Sequence, residues 1–402
     1  MKTITSFLFM SLPRHDDEYT STPWQIASEL SKRNNVFLID NPFTFTEAIV
    51  KFRSSQVRKR IRAYFGKATQ VIEGVTVIFA PFVIPINFLP KGKIYDLFSR
   101  LNHQIVARRL NRIIAKERFQ QVFYINSFNF YLPNLADYFL GKPSYIVYHC
   151  IDPMVKPYTL KHGPYLQQIA AKKSNVIITT APSLDREFKG PDYPRCFYVP
   201  NAANFSLFAN AQNTKLAVHP KLASIEGKVM GYFGNIERRT DERFLLSVLH
   251  RLPDWQLVMA GPVDRSYFSL EFLNHRQVKW VGAFTHQEAP SVIKRFDVAI
   301  IPFKCDEVSY GINPLKLFEY LAAGKPVVST NFNPDILLTL QGDVAVAETP
   351  EQFATHVLAS QHGTQLDVVR RTKRAWENSW EARTKEFESV ITKAYYENEK
   401  RD

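Results

Sequence analysis

The feature that most restricts the fold of this sequence is a repeated alternation of short apolar runs with segments of helical pattern. In the first half, apolar runs occupy residues 3–12, 35–40, 75–84, 121–126, 144–149, 175–179 and 196–199. In the second half they occupy residues 228–233, 255–261, 278–282, 297–303 and 327–328. Short apolar strands connected by helices are typical of mostly parallel α/β sheets. We therefore predict two Rossmann-like domains, which suits a chain of 402 residues.

A polar, irregular stretch separates the two series of strands and helices. We place the first domain at residues 1–205, a linker at 206–226 and the second domain at 227–374. The remaining tail has a helical pattern, with Trp376 and Trp380 four residues apart on one face. Each half is thus predicted to fold around a core of its own.

Several classes of protein are disfavoured by what the sequence lacks. Three cysteines that lie far apart, Cys150, Cys196 and Cys305, argue against a disulfide framework and for a reducing compartment. The apolar start is short and acidic residues follow it at once, so we predict a buried strand there rather than a signal peptide. No run approaches the ~18 apolar residues of a membrane-spanning helix. P-loop, dinucleotide-fingerprint and hydrolase-elbow motifs are absent, and no Cys or His cluster has metal-ligand spacing, so no metal site is predicted.

The net charge of +13 is confined to the first half of the chain. Residues 1–200 hold 27 Lys and Arg against 14 Asp and Glu, whereas residues 201–402 hold 24 of each. This asymmetry predicts that the first domain faces an anionic partner. The residues from Lys51 to Lys67 include seven basic side chains and no acidic one. Interleaved with these cations are Phe52, Ile61, Tyr64 and Phe65.

Two interpretations fit the 51–67 segment. It could be a solvated surface with a few residues anchored in the core. It could also be an interfacial segment whose cations meet anionic lipid headgroups while its aromatic side chains enter the membrane interface. The proline-punctuated loop Pro81–Pro90 has the same ambiguity, because its apolar residues could be core or an apolar lip for a lipid-linked acceptor.

The most informative stretch of the sequence is Ser309–Thr330. Asn313 is a suitable N-cap and Pro314 would occupy the first helical position, which predicts a three-turn helix. Gly324 is placed to end that helix in a left-handed conformation, and a short strand follows. A helix start that follows a small-residue loop is a natural site for an anion.

Lys316 and Glu319 are three residues apart and share one face of this predicted helix. By themselves they would be interpreted as an exposed ion pair, worth ~0.5 kcal/mol or less. Their position in a capped helix, after a glycine loop and the strand 297–303, favours a binding site instead.

The stretch Ser309–Thr330 resembles the nucleotide-sugar signature of GT-B glycosyltransferases, specifically the retaining family 4, or group 1. The resemblance implies that Glu319 accepts hydrogen bonds from the ribose hydroxyls and that Lys316 neutralises the departing diphosphate. It also implies that three further residues line the donor loop: Ser309, Tyr310 and Asn313. Many members of the family carry a second glutamate at the position that Gly311 occupies here, so one expected donor contact is absent.

The strand 228–233 ends in a Gly234–Asn235 turn, and a turn of this kind calls for a glycine with positive φ. The resemblance implies that this turn lets the backbone approach the diphosphate, which makes both residues donor-binding candidates. In related enzymes basic residues on this loop bind phosphate, and Arg238 is the candidate for that role here, although the usual spacing is not met.

The candidates for acid–base chemistry lie in the first half. His149 and Asp152 stand at the end of the strand 144–149, where the carboxyl edge of a parallel sheet would place them in a crevice. A carboxylate there could orient or deprotonate an acceptor hydroxyl. Asp16, in the polar loop after the first strand, is the rival acid or base, with His15 and Asp17 beside it. A plain structural role is the alternative for each of them.

Together these observations predict a GT-B fold, in which two Rossmann-like domains face each other across a cleft. The resemblance implies that residues 375–402 form a helix that returns to the first, acceptor-binding domain, while residues 227–374 bind the nucleotide sugar. It further implies a hexosyl transfer with retention that needs no catalytic metal and no cofactor besides the nucleotide-diphosphate sugar as donor.

The charge distribution favours a lipid-linked or envelope-polysaccharide acceptor at the cytoplasmic face of the cell membrane, with the basic first domain on the anionic surface and no nucleic acid bound. Two alternatives remain open. One is a nucleotide-sugar epimerase of the same fold, which would not need a basic face. The other is a non-enzymatic protein that binds nucleic acid or another anionic surface, which would leave Lys316 and Glu319 unexplained.

Overall fold

A computed structural model describes residues 5–17, 21–117, 119, 121–154 and 157–400. The chain divides into two compact units, the first comprising Met1–Val199 with Thr384–Asp402 and the second comprising Pro200–Arg383. Residues 3 and 4 of the predicted first strand lie outside the described residues. Within the described part, no helix combines the length and the apolar character that crossing a membrane requires.

The first unit is built on an eight-stranded sheet. Its strands are β1 (Thr5–Ser11), β2 (Asn35–Ile39), β3 (Thr69–Ile72), β4 (Val75–Ile78), β5 (Gln121–Ser127), β6 (Tyr145–Cys150), β7 (Val176–Thr179) and β8 (Cys196–Tyr198). Their order is β3-β4-β2-β1-β5-β6-β7-β8, and only the β3–β4 pair is antiparallel. The chain order reverses between β1 and β5, so this unit has a topological switch point there.

Helices connect these strands, as parallel pairing requires. They are α1 (Thr22–Ser31), α2 (Phe45–Val50), α3 (Ser55–Phe65), α4 (Lys93–Glu117), α5 (Pro157–Leu160), α6 (Gly163–Lys172) and α7 (Pro182–Glu187), with a 3-10 turn at Leu135–Tyr138. The predicted strand 75–84 is shorter than expected, because β4 ends at Ile78 and a loop rich in proline follows. The edge strand β3 was not predicted, since it is short and half exposed.

The second unit has a six-stranded sheet in which every pair is parallel. Its strands are β9 (Lys228–Phe233), β10 (Trp255–Ala260), β11 (Val278–Gly282), β12 (Val298–Ile301), β13 (Val327–Thr330) and β14 (Val344–Ala347). The order is β11-β10-β9-β12-β13-β14, which reverses between β9 and β12. All four residues of β12 are fully buried, which explains the unbroken apolar run in the sequence.

The helices of the second unit are α8 (Phe205–Ala209), α9 (Pro220–Ala223), α10 (Glu242–Arg251), α11 (Leu270–Leu273), α12 (Ala289–Ile293), α13 (Glu307–Tyr310), α14 (Lys316–Ala322), α15 (Pro334–Thr339), α16 (Pro350–Ala359) and α17 (Gln365–Glu377). Single 3-10 turns lie at Asn210–Gln212, Arg265–Tyr267, His286–Glu288 and Ser360–His362. The segment 206–226, predicted to be a linker, instead carries α8 and α9. Its Phe208 and Leu222 are fully buried in the core of this unit, so it belongs to the folded domain.

The tail consists of two helices, α17 and α18 (Trp380–Glu399), rather than one. The break forms because the backbone pairs with Ala203 there: Ala203 N donates to Asn378 O at 3.2 Å, and Trp380 N donates to Ala203 O at 3.1 Å. The two tryptophans therefore differ, since Trp376 is half exposed and Trp380 is buried. From Thr384 onwards α18 belongs to the first unit.

Helix α18 packs on the first sheet through aromatic contacts and ion pairs. The ring of Phe387 lies 5.2 Å from that of His149, and the ring of Tyr395 lies 5.3 Å from that of Phe123. At the surface, Arg33 donates to Glu388 at 3.0 Å. These contacts join the last part of the tail to the first unit, whereas Ala375, which lies inside the predicted returning segment 375–402, is buried in the core of the second unit.

Candidate functional site

In the second unit, the candidate donor-binding residues gather at the carboxyl edge of the sheet. Gly234 directly follows β9, and the loop after it pairs with the end of β12 through a bridge between Thr240 and Phe303. Because β9 and β12 are neighbours at the switch point, this is the edge where open α/β sheets bind ligands.

Two glycines allow the backbone to come unusually close at this edge. Gly234 has φ +131° and donates from its N–H to Ala260 O at 2.9 Å, while Gly261 has φ +149°. A Cβ atom on Gly261 would lie 2.0 Å from Gly234 O, so no side chain fits there. A Cβ on Gly234 would lie 3.2 Å from Lys316 Nζ, so the missing side chain leaves that ammonium group beside the β9 turn.

The ammonium group of Lys316 is held by aromatic side chains. Its Nζ donates to Tyr232 Oη at 3.0 Å and lies 4.7 Å from the centroid of that ring and 5.1 Å from that of Phe303. The Tyr232 hydroxyl in turn donates to Asn235 O at 2.8 Å. The positive charge is therefore oriented by neutral groups, with no carboxylate of the described residues forming an ion pair with it.

Glu319 lies one turn along the same helix and is only 9% exposed. Burial raises the pKa of its carboxyl group to about 7, although the charge of Lys316 acts in the opposite direction. The two side chains form no ion pair, so the interpretation as an exposed helix salt bridge is wrong. A buried carboxyl group with a raised pKa beside a held cation is typical of a functional site.

The start of helix α14 differs from the prediction. The helix begins at Lys316 and its N-cap is Leu315, so no side chain caps it and Asn313 is not the cap. The N–H groups of residues 317–319 bond to the carbonyls of Pro314 and Leu315, because the chain enters through a tight 3-10 turn. These N–H groups are consequently not available to an anion, and Lys316 is the main source of positive charge at the site.

The remaining donor candidates precede α14 in the chain and make different contacts. Asn313 is buried, and its carbonyl accepts from Asn201 Nδ2 at 3.0 Å. Tyr310 donates from its hydroxyl to Asp335 Oδ2 at 2.8 Å. Ser309 is fully buried, and its Oγ has no hydrogen-bond partner among the described residues.

On the β9 loop, Asn235 is exposed and offers its carbonyl to Tyr232. The Nη2 of Arg238 is buried and has no partner in the described part of the chain. Its neighbour Arg239 already forms an ion pair with Glu237. Arg238 is therefore the cation of the two that is better able to bind a ligand. An unsatisfied buried guanidinium nitrogen is expensive unless a ligand completes its hydrogen bonding.

In the first unit, His149 and Asp152 have different environments. His149 is 1% exposed, and a 2.9 Å hydrogen bond joins its Nδ1 to Ser127 Oγ. Burial lowers the pKa of His149 to about 3, so its imidazole is neutral at physiological pH. Asp152 is exposed just beyond the carboxyl end of β6. A carboxylate in that position can reach a ligand, whereas the imidazole is enclosed by the core.

Asp16 belongs to a separate, mostly buried charge cluster. Arg60 on α3 donates to both oxygens of Asp16 at 2.8 Å and also bonds to Asp40. Burial by itself would raise the pKa of Asp16, but the hydrogen bonds and charge of Arg60 outweigh it, so the pKa is lowered. Asp16 is therefore a weak base in this arrangement.

The same cluster contains ligand atoms of a kind that metals use. His15 Nδ1 lies 3.3 Å from Asp40 Oδ1, and ligand atoms of His15, Asp16 and Asp40 all lie within 4.8 Å of one another. The spacing of these residues in the sequence does not indicate the group, because the loops after β1 and β2 bring distant residues together. The guanidinium of Arg60 already supplies the positive charge that both carboxylates require, which disfavours a cation there.

Sequence reasoning missed the aromatic support of the donor residues. Tyr232 and Phe303 read as ordinary strand positions, and only the fold places them around Lys316. The sequence placed Tyr320 on the helix face of Lys316 and Glu319, but not its contact: its hydroxyl accepts from Phe233 N at 2.7 Å and ties α14 to the end of β9. Gly261 could have been identified from the sequence, since a glycine directly after an apolar strand often marks a close backbone approach.

Part of the second unit is similar in sequence to known proteins. Residues 227–360 match the family described as "Glycosyl transferases group 1". The chain is 35% identical over 136 residues to "Putative teichuronic acid biosynthesis glycosyltransferase TuaH" of Bacillus subtilis (strain 168), a match that covers 33% of this chain and 34% of that protein. The match thus spans about a third of the length of this curated relative.

Solved structures match nearly the whole chain. Sucrose-phosphate synthase from Thermosynechococcus elongatus has a TM-score of 0.65 at 13% identity, covering 98% of this chain and 99% of that one. An α,α-trehalose-phosphate synthase (UDP-forming) from Burkholderia vietnamiensis has 0.62 at 11%, covering 98% and 99%. Anabaena Alr3699/HepE in complex with UDP and glucose has 0.60 at 13%, covering 96% and 99%. The fold class predicted from the sequence is confirmed by these matches.

Proposed function

We propose that the protein transfers a sugar from a nucleotide-diphosphate sugar. The premise is that the second unit of this GT-B chain carries a group 1 glycosyl transferase domain. The observation that carries the proposal is the arrangement of Gly234, Lys316 and Glu319 at the switch-point edge of the second sheet. An open backbone turn, a held cation and a buried carboxyl group lie together there, and each can contact one part of a nucleoside diphosphate.

Each of these groups has a defined task in the proposed reaction. The diphosphate lies beside Gly234 and Lys316, whose charge stabilises the negative charge that grows on the leaving group. The ribose hydroxyls donate to Glu319, and these hydrogen bonds favour its ionised form, which burial disfavours in the free protein. Because Lys316 supplies the positive charge, the transfer is proposed to need no metal. Retention of the anomeric configuration is proposed by analogy with the family.

In the first unit, Asp152 is proposed to orient or deprotonate the acceptor hydroxyl. Its exposure beyond β6 supports this role. The enclosed neutral ring of His149 and the arginine-bound carboxylate of Asp16 support structural roles for those two residues instead. With this choice the acceptor binds to the first unit, whose residues 1–199 hold 27 Lys and Arg against 14 Asp and Glu.

The acceptor is proposed to be a lipid-linked sugar or growing polysaccharide at the cytoplasmic face of the cell membrane. We define the interfacial surface as residues 45–67, which contain α2 and α3. Apolar side chains exposed there include Ile49 (72%), Val50 (81%) and Phe65 (86%). They lie among basic residues, which is the composition that anionic membranes attract. A relative named for teichuronic acid biosynthesis is consistent with an envelope polysaccharide.

Thermal unfolding in the presence of nucleotide sugars tests the donor proposal. A panel of UDP-, GDP- and dTDP-sugars should contain at least one class that raises the unfolding temperature of the wild type. The Glu319→Ala variant should lose most of that rise, while Glu271→Ala, which changes an exposed glutamate on α11, should keep it. If no nucleotide sugar stabilises the wild type, the proposed function is wrong.

A further inference from the structure

The first unit contains a cavity of about 830 Å³ that the donor chemistry does not use. Residues from the loops that follow β1, β2, β4 and β5 line it, among them Arg14, Asn41, Ile84 and Leu132. These four strands are consecutive neighbours around the switch point between β1 and β5. The cavity therefore occupies the carboxyl edge of the first sheet, which is the counterpart of the edge that holds Lys316 in the second.

The lining of this cavity is divided into a polar part and an apolar part. The polar part includes Arg14, Asn41 and Glu47, whereas the loop after β4 contributes the apolar side chains of Ile84, Ile86 and Phe88. Arg14 is itself fixed, because its Nε donates to Asn41 O at 3.0 Å and its guanidinium lies 3.6 Å from the centroid of the Phe43 ring. A ligand that fills such a cavity needs a hydroxylated or charged head and a hydrocarbon portion.

The apolar loop is held in place before any ligand arrives. Asn102 on α4 accepts from Ile84 N at 2.8 Å and donates to Ile84 O at 2.9 Å. Lys161 Nζ donates to Phe88 O at 2.7 Å, and His162 Nε2 donates to Leu89 O at 3.0 Å. The side chain of Phe88 nevertheless remains 71% exposed. The loop is thus braced at three points and presents Phe88 to solvent as a preformed apolar surface, while Ile86 and Leu89 of the same loop pack against the core.

The cavity is continuous with the interfacial surface. This continuity indicates the side from which the hydrocarbon portion of a ligand would enter. Thr46 and Glu47 of α2 line the cavity, and Ile49 and Val50 of the same helix are exposed. The backbone N–H of Phe45 donates to Val83 O at 2.9 Å, which joins the start of α2 to the apolar loop. Exposed apolar residues thus lead from the cavity to the segment 51–67, which carries seven basic residues and no acidic one.

We propose that this cavity binds the acceptor and that the acceptor is a sugar linked through phosphate to a hydrocarbon chain. The phosphate lies near Arg14 and Lys161, the sugar contacts the polar lining, and the first part of the chain follows Ile84, Ile86 and Phe88 before it enters the membrane. This inference rests on the proposed transferase function, because only a transferase needs an acceptor.

Binding of farnesyl phosphate to the full-length protein, measured by titration calorimetry below its aggregation concentration, tests the apolar contact. The Phe88→Ser variant should weaken binding about 10-fold, since one large apolar side chain loses its contact with the chain. Leu140→Ser is the matched control, because Leu140 is 73% exposed in the same unit and does not line the cavity. Equal affinities of the two variants, or no binding by the wild type, would overturn the proposal.

The phosphate contact has its own test. Lys161→Gln should weaken the binding of farnesyl phosphate about 3-fold to 10-fold more than that of farnesol, because glutamine keeps an N–H donor for the Phe88 carbonyl but not the charge, whereas Lys142→Gln should change neither. Inorganic phosphate and glucose 6-phosphate should bind far more weakly than farnesyl phosphate. If they bind equally well, the acceptor is water-soluble and the proposal is wrong. Nucleotide-sugar binding is measured separately, so a failure here is distinct from a failure of the donor site.

Discussion

Glu319 is 9% exposed, and burial raises the pKa of its carboxyl group to about 7. In the unfolded chain the pKa of a glutamate lies near 4.3, so the folded state binds the proton more tightly. A raised carboxyl pKa means that the free protein loses stability as the pH rises from about 4.5 to 7, because the charged form is disfavoured in the fold. Such a cost is expected at a binding site, where the ligand's hydrogen bonds offset it.

This residue makes a prediction about pH. Glu319→Gln should be more stable than the wild type by up to about 3 kcal/mol at pH 8 and by little at pH 4.5, since the amide carries no charge to desolvate. Urea unfolding at a series of pH values measures the difference. The exposed control Glu271→Gln should show no such trend. A difference between Glu319→Gln and the wild type that stays constant with pH would contradict the buried-carboxylate interpretation.

Tyr232 makes a prediction about positioning. Its hydroxyl bonds to Lys316 Nζ, and Tyr232→Phe removes that bond while keeping the ring beneath the cation. Sugar transfer to water or acceptor should slow about 10-fold, because the ammonium group no longer has a fixed position at the leaving group. The control Tyr267→Phe changes a tyrosine that is 47% exposed and should leave the rate unchanged. A wild-type rate for Tyr232→Phe would show that the hydroxyl does not position Lys316.

At the scale of elements, strands and most helices follow from the sequence, because apolar runs and caps are local signals. The strands β9 and β11 coincide with their predicted bounds. The start of α14 was missed because Pro314 and Leu315 accept the first helix N–H groups and displace the cap from Asn313. The segment 206–226 was missed because its apolar residues are few and scattered, so only tertiary packing makes them core. The supports of Lys316 were missed because Tyr232 lies in β9 and Phe303 lies just beyond β12, two strands distant in sequence.

The close approach of β9 and β10 makes a prediction at this scale. Gly261→Ala should destabilise the second unit more than Gly342→Ala, although both positions have positive φ. Gly342 has nothing within 4 Å of a Cβ and should lose about 1–2 kcal/mol to backbone strain, whereas Gly261 should lose about 1–3 kcal/mol more because its Cβ meets Gly234 O. Urea unfolding compares the two. Equal losses of unfolding free energy at the two positions would mean that the contact between position 261 and Gly234 O does not exclude a side chain.

For the molecule as a whole, the division of charge matches a division of tasks. The half with the excess of 13 positive charges carries the interfacial surface and the amphiphilic cavity, and the balanced half carries the donor residues. In the 51–67 segment, Arg60 is buried in ion pairs, but Phe52, Tyr64 and Phe65 are all more than half exposed. These three side chains therefore do not anchor the core, whereas Val57 on the same segment does, and the interfacial role of the segment stays a proposal.

For the whole molecule, we predict binding to anionic membranes. The protein should float with vesicles that contain anionic lipid and should be released as the salt concentration rises. Phe65→Ser should reduce the bound fraction severalfold, while Leu366→Ser, at an 80% exposed leucine of the second unit, should not. Binding to DNA or RNA with equal affinity, and no difference between the two variants, would favour the nucleic-acid alternative.

The central claim is that Glu319 holds the ribose of a nucleoside diphosphate beside Lys316. Calorimetry tests this claim with four titrations, in which the wild type and Glu319→Gln each bind a nucleoside diphosphate and its 2′,3′-dideoxy analogue. The nucleoside diphosphate is that of the nucleotide sugar that most raises the unfolding temperature. The account predicts that Glu319→Gln loses about 10-fold in affinity for the parent nucleotide and almost nothing for the analogue, because the hydrogen bonds are already missing. An equal loss for both nucleotides would contradict it.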